Sequence, residues 1–158
     1  MSSFSTCQKT EQDSKRALVP VVIKRFNTSP SEIPENYRAQ EGGDWFVRND
    51  FGQVVSIELK SEHRYTGNIF LEIWSNFNTQ RKGWFLTSHA NEIWYHFLDT
   101  NMLYIVGLEK LRQWVLQGER ILGSKEVDQK KHSQRNLTKG RLMPCRDLEE
   151  CGAEVLLL

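Results

Sequence analysis

Between Asp44 and Lys60 the hydrophobic period becomes two on both sides of a marked turn, and this pattern constrains the fold more than any other in the chain. Asp44-Trp-Phe-Val-Arg48 and Gln53-Val-Val-Ser-Ile-Glu-Leu-Lys60 alternate as half-buried strands do, and Asn49-Asp-Phe-Gly52 carries turn residues. A hairpin centred near Phe51 sets Asp44 opposite Glu58. Opposed residues of an antiparallel pair share a face, with Cβ atoms about 4.5–5.5 Å apart. Lys60 joins that face by the two-residue period, and Ile57 and Leu59 point the other way, toward a core. A register slip of one residue would move Asp44 to the other face. Asp50 is the alternative acid, but it lies in the turn and reads as a turn former.

Two carboxylates held opposite each other repel. A divalent cation removes the repulsion, and a pair of oxygen ligands suits Mg²⁺, which keeps several waters. A metal so held activates a water and stabilises charge on a phosphoryl group, and Lys60 would orient or deprotonate the water or stabilise the developing charge. The pattern therefore points to phosphodiester hydrolysis. Glu72, on a third strand expected to neighbour this hairpin, is a possible additional acid. The plainer reading is a solvated strand face, where an acid-x-Lys triplet is common. Asp44 at the mirror position across the turn is what favours a site.

The rest of the chain supplies an α/β (α+β) frame. Residues 1–10 are polar and are expected to be disordered. From Glu11 to Phe26, Leu18, Val21, Val22 and Phe26 give a helical apolar face, which Pro20 either kinks or divides. Residues 27–40 read as loop, with Pro30 and Pro34 blocking ladders. Asn68–Ser75 alternates as a third strand, Met102–Val106 as a buried strand, and Leu108–Gln117 as a short amphipathic helix ended by Gly118. Residues 119–141 are polar and basic, Arg141–Cys145 reads as a short edge strand, and Asp147–Cys151 as a helical turn. The apolar Val155–Leu158 has no evident partner.

Bulk properties narrow the classes. With 26% charged and 39% hydrophobic residues the balance is that of a globular domain. The net charge is only +1, so any nucleic-acid surface must come from local segregation. Such segregation exists. Seven basic residues against Glu126 and Asp128 give 125–146 a net +5 and leave the rest of the chain at −4. Lys130, Lys131, Arg135 and Lys139 are therefore candidate phosphate contacts, with His63 and Arg64 just after the acid-x-Lys strand. The five tryptophans read as core before they read as base-stacking surfaces. Cys7, Cys145 and Cys151 lack the paired spacing of a zinc site and read as free thiols. No run approaches the ~20 apolar residues of a membrane span, no signal-peptide core precedes the domain, and no phosphate-cradling Gly-rich loop occurs. The expected location is the cytoplasm.

Asp44 followed by Glu58-Leu-Lys60 on the next strand, after an N-terminal helix, resembles the PD-(D/E)XK nuclease superfamily. Residues 41–98 resemble its small phage and bacterial members, which carry Gly-x-Asp-aromatic, a hairpin, the acid-x-Lys triplet, a strand ending in an acid, and Gly-Trp, here Gly83-Trp84. The strict pattern has Pro before the first acid, where this chain has Gly43. The resemblance implies a restriction-endonuclease-like core over 11–118, with a central mixed β-sheet, flanking helices, and a basic C-terminal extension over 119–158 packed on the same domain. It implies a Mg²⁺-dependent (endo)deoxyribonuclease, with Mn²⁺ as substitute, in which Asp44 and Glu58 are metal ligands and Lys60 is the catalytic lysine. An acid on the first helix, for which Glu11 is the candidate, sometimes joins them. DNA is the implied partner and a homodimer the implied assembly, with a phage or mobile element as a possible source. The rival reading is a non-catalytic factor of the same fold that binds nucleic acid or a host protein.

Overall fold

A computed structural model describes residues 3–37, 42–117, 123–131 and 134–158, with side chains at 3–5, 117, 123–131 and 134–136 outside the description. The fold is mixed α+β: a helix followed by a mixed sheet, a second sheet and flanking helices.

Helix α1 (Ser3–Phe26) starts eight residues before the expected Glu11 and runs through Pro20 without ending. Residues 3–10, expected to be disordered, are helical. Lys24 and Arg25 in the last turn suit the negative end of the helix dipole, and Asn27 (φ 55°) stops the helix in a left-handed conformation. Leu18 and Val22, one turn apart, are fully buried, each contributing about 1.5–3 kcal/mol.

Strands β1 (Ser31–Glu32), β2 (Trp45–Arg48), β3 (Val54–Glu62), β6 (Glu92–Phe97), β7 (Met102–Gly107) and β10 (Glu154–Leu157) form a six-stranded sheet in the order β1-β2-β3-β6-β7-β10. The segment 27–40, read as loop, thus supplies a two-residue strand and, at Glu35–Tyr37, one 3₁₀ turn. The hairpin has the expected register, with Trp45 opposite Ile57 and Arg48 opposite Val54. Its turn is fixed by Asn49, whose Oδ1 accepts from the N–H groups of Phe51 and Gln53, and by Gly52 at φ 75°. Strand β3 pairs parallel with β6, and Asn91 pins that pair by accepting from the N–H and hydroxyl of Ser56.

Alternation splits the sheet between two cores. Trp45, Ile57, Leu59, Trp94, Leu103 and Ile105 pack with Leu18 and Val22 of α1. On the opposite face, Ile93, Tyr95, Phe97 and Tyr104 pack against Ile69, Leu71 and the later helices. That second layer holds β4 (Asn68–Asn76), β5 (Arg81–Lys82), β8 (Gly123–Lys131) and β9 (Gln134–Pro144), in the order β5-β4-β9-β8, with α2 (Trp84–Thr87), α3 (Leu108–Gln117) and α4 (Cys145–Glu150).

Two expectations change here. Strand β4 does not extend the first hairpin as a third neighbour; it belongs to the second sheet. Strands β8 (Gly123–Lys131) and β9 (Gln134–Pro144) pair antiparallel over their length, and Arg141–Pro144 ends an inner strand flanked by β4 and β8. The apolar Val155–Leu157 finds its partner as an antiparallel strand on β7. Cys7, Cys145 and Cys151 are free thiols, the first exposed and the others buried. Among the described residues no helix is long and apolar enough to cross a membrane.

Candidate active site

The site lies where β2 stops and β3 continues. Strand β2 begins at Trp45, so Asp44 is one residue outside the ladder, its N–H on the Ile57 carbonyl at 2.8 Å. Its carboxylate crosses the strand edge, and Oδ2 accepts the Leu59 N–H at 2.8 Å. A side chain thus replaces the backbone acceptor that a longer β2 would have offered. Gly43 explains the missing proline. Its φ is +121°, and a Cβ there would lie 2.5 Å from the Ile57 carbonyl oxygen. Proline, fixed near −65°, cannot take that conformation.

Glu58 and Lys60 project from β3 on the face opposite Ile57 and Leu59. The Lys60 ammonium lies 2.6 Å from Glu58 Oε1, with the side chains 29% and 13% exposed respectively. The other oxygen, Glu58 Oε2, accepts the Ser88 hydroxyl at 3.1 Å. Ser88 is held in turn: Arg112 of α3 donates to the carbonyls of Ser88 and Phe85 at 2.7 and 2.8 Å. Lys60 Nζ also sits 5.5 Å from the centroid of the Trp84 ring.

Electrostatics record how close these groups are. Burial pushes the Asp44 carboxyl above its ordinary value, and repulsion from Glu58 adds to the rise; the Leu59 N–H, Lys60 and Lys15 oppose it. Burial alone would lower Lys60. The Glu58 carboxylate, with Asp44 and Glu72 adding, overrides burial, and the net displacement is upward. Lys60 therefore remains an ammonium at neutral pH.

Two clefts meet at Glu58. One, of about 420 Å³, is lined by Glu11 and Cys7 of α1 together with Asp44, Glu58, Lys60 and Ser61. The other, of about 290 Å³, is lined by Glu58, Glu72, Arg81, Lys82, Trp84 and Ser88. Glu11 thus stands in the same cleft as Asp44, held by Lys15 at 3.2 Å. Glu72 also reaches the site, but from β4 across the second cleft and not from a strand beside β3. His63 and Arg64 are exposed in the bend after β3 and line neither cleft. Lys139 is stacked 3.8 Å over Phe77. The side chains of Lys130, Lys131 and Arg135 lie outside the described residues.

Sequence reasoning missed Ser88, Arg81 and Lys82. The dibasic pair before Gly83-Trp84 was visible, but its place beside Glu58 depends on the second sheet. Nothing in the sequence marks Ser88, whose role follows from the fold of α2.

The donor set is one of hard oxygens. Among the described residues no group of three or more His, Cys, Asp or Glu side chains is arranged to hold a metal ion. Two carboxylates fit Mg²⁺, which is bound through one or two acids and retains its waters, and do not fit the four-ligand demand of structural zinc. Comparison with protein-family models, with curated proteins and with solved structures finds no match.

Proposed function

We propose that this chain is a restriction-endonuclease-like, Mg²⁺-dependent nuclease that hydrolyses DNA phosphodiester bonds. The observation that carries the reading is the Lys60 ammonium 2.6 Å from Glu58, with Asp44 in the same cleft and its carboxylate on the N–H of the intervening Leu59. A structural ion pair needs one acid; a second, buried beside it and repelled by it, is costly unless a cation is bound.

In this reading Asp44 and Glu58 hold the ion, and Mg²⁺ when bound supplies an activated water and charge stabilisation at the phosphoryl group. The chain's own residues do the rest. The Leu59 N–H fixes the direction of Asp44, and the Ser88 hydroxyl fixes one oxygen of Glu58. Lys60, protonated at neutral pH, acts as a fixed cation facing the charge that develops on the phosphate, not as a base that first has to lose its proton. Glu11, paired with Lys15, closes the cleft on the α1 side.

Purified protein incubated with duplex, branched and single-stranded DNA in Mg²⁺, Mn²⁺ or EDTA tests this. Cleavage in either metal, none in EDTA, and loss on Lys60→Ala are expected. A protein that binds DNA but never cuts it, whatever the metal, would instead be the non-catalytic binding factor.

A further inference from the structure

The second cleft opens onto a face of the second sheet that the hydrolytic chemistry does not use. Trp74 of β4 is directly opposite Lys82 of β5 on one side and Lys139 of β9 on the other. Directly opposed residues in antiparallel strands share a face; the ladders are irregular beside Trp74, and contacts through the Phe77 ring place Lys139 next to it, so the three strands present a cation–aromatic–cation row. Phe77 extends it, with its ring 5.9 Å from Trp74 and under the Lys139 ammonium at 3.8 Å. Arg81 adds a further cation. Arg81 and Lys82 are exposed, and neither makes an ion pair among the described residues.

The row leads inward. Lys82 and Arg81 line the 290 Å³ cleft whose other walls are Trp84, Ser88, Glu72 and Glu58. Glu72 brings negative charge into that cleft, but Lys60 lies within its field.

We propose that the β5-β4-β9 face is a binding platform for an unpaired polynucleotide strand, which stacks a base on Trp74 and Phe77, sets its phosphates on Arg81 and Lys82, and delivers the strand through the Trp84 cleft to Glu58. The delivery step rests on the nuclease reading; the platform does not. Charge complementarity names a polyanion, and the interleaved rings choose among polyanions. In a duplex the base faces are covered by their neighbours, whereas in a single strand they are available to aromatic side chains. A 290 Å³ recess admits one strand and excludes a double helix. The substrate class is therefore single-stranded DNA or RNA, or an unpaired segment within a duplex.

Fluorescence anisotropy in EDTA tests the platform without any cleavage, using labelled oligodeoxyuridylate, oligouridylate and a duplex of equal length. Tighter binding of either single strand than of the duplex is expected, and the preferred one identifies the sugar. Trp74→Ala should weaken single-strand binding about 5- to 160-fold, the range for loss of one base stack. Arg81→Ala/Lys82→Ala, at exposed positions where folding is not in question, should lower the slope of log affinity against log salt by about 1.4, or 0.7 for each lost phosphate contact. Duplex bound as tightly as single strand, or an unchanged salt slope in the double variant, overturns the platform. Because EDTA removes the metal, such a result leaves the Asp44–Glu58 chemistry standing. Conversely, wild-type single-strand binding without cleavage in Mg²⁺ or Mn²⁺ retains the platform and removes the nuclease.

Discussion

Strands β3 and β4 are both nine residues long, both lie inside a sheet, and both carry a glutamate facing the same cleft, yet the two acids have different surroundings. Glu58 is fixed at both oxygens, by Lys60 on its own strand and by Ser88 just after α2. Glu72 has neither an ion pair nor a side-chain hydrogen bond among the described residues, and a bulge follows it in β4. An acid on a strand is therefore only raw material. What builds a site is convergence: Asp44 from the hairpin, Lys60 two residues on, Ser88 just after a helical turn that Arg112 holds in place.

The contrast can be broken experimentally. The largest effect is expected for Lys60→Ala, which removes the fixed cation and leaves Glu58 without its partner. Single-turnover cleavage in saturating Mg²⁺ should slow on the order of 10²–10³-fold, the scale of losing one charge-stabilising donor. Next, Ser88→Ala should cost roughly 10-fold or more in Mg²⁺ affinity or rate, as loss of an outer partner of a ligand does. Glu72→Gln should stay within about 3-fold, since among the described residues neither an ion pair nor a hydrogen bond joins it to Asp44, Glu58 or Lys60, and its field at Lys60 is weaker than that of Glu58. If Glu72→Gln proves as damaging as Ser88→Ala, the two strands contribute equally and the contrast fails.

The smallest effect is one of stability and carries a definite sign. The Asp44 carboxyl is raised above its ordinary 3.8 in the folded protein, so between 3.8 and the raised value the folded state binds more protons than the unfolded. Stability contributed by this group is lost as pH rises through that window and stays lost above it. Asp44→Asn, which keeps an acceptor for the Leu59 N–H, should accordingly raise the thermal midpoint at neutral pH. The gain should shrink on acidification and vanish below 3.8. Mg²⁺ should raise the midpoint of the wild type and not of the variant, because a ligand that binds only the native state stabilises it.

Much of this was legible in the sequence wherever the signal was local. The Asn49–Gly52 turn and its flanking alternation set the register that the hairpin adopts, and the amphipathic pattern of Leu108–Gln117 marked a helix whose limits match. Legibility ended where pairing is distant. Nothing in Asn68–Ser75 says that its partner is Gln134–Pro144 and not β3. The β8–β9 pair is mostly polar, so it lacks the one-sided apolar stripe by which a strand is recognised. Tyr95 bonds Glu62 and receives the Phe70 N–H, and Ser14 meets the buried His96, through contacts that no spacing within one element encodes. Even the hairpin held a local surprise. Asp44 leaves the ladder, because Gly43 turns the chain there, and aims its carboxylate across the edge of β3 rather than straight at Glu58.

The parallel pairing of β3 with β6 has a kinetic consequence. Everything between those strands, including Glu72, Arg81, Lys82, Trp84 and Ser88, is the crossover that must be looped out before Glu58 can lie beside Ile93. The hairpin carrying Asp44, Glu58 and Lys60 closes over a few residues and can form on the microsecond scale. The parallel pair closes a far longer loop, and such non-local pairings are slow. On this topology the acidic cluster assembles first and is clamped by Ser88 and Trp84 later. Refolding followed by tryptophan emission should therefore report completion of the site in its slow phase, after the hairpin has already brought the charges together.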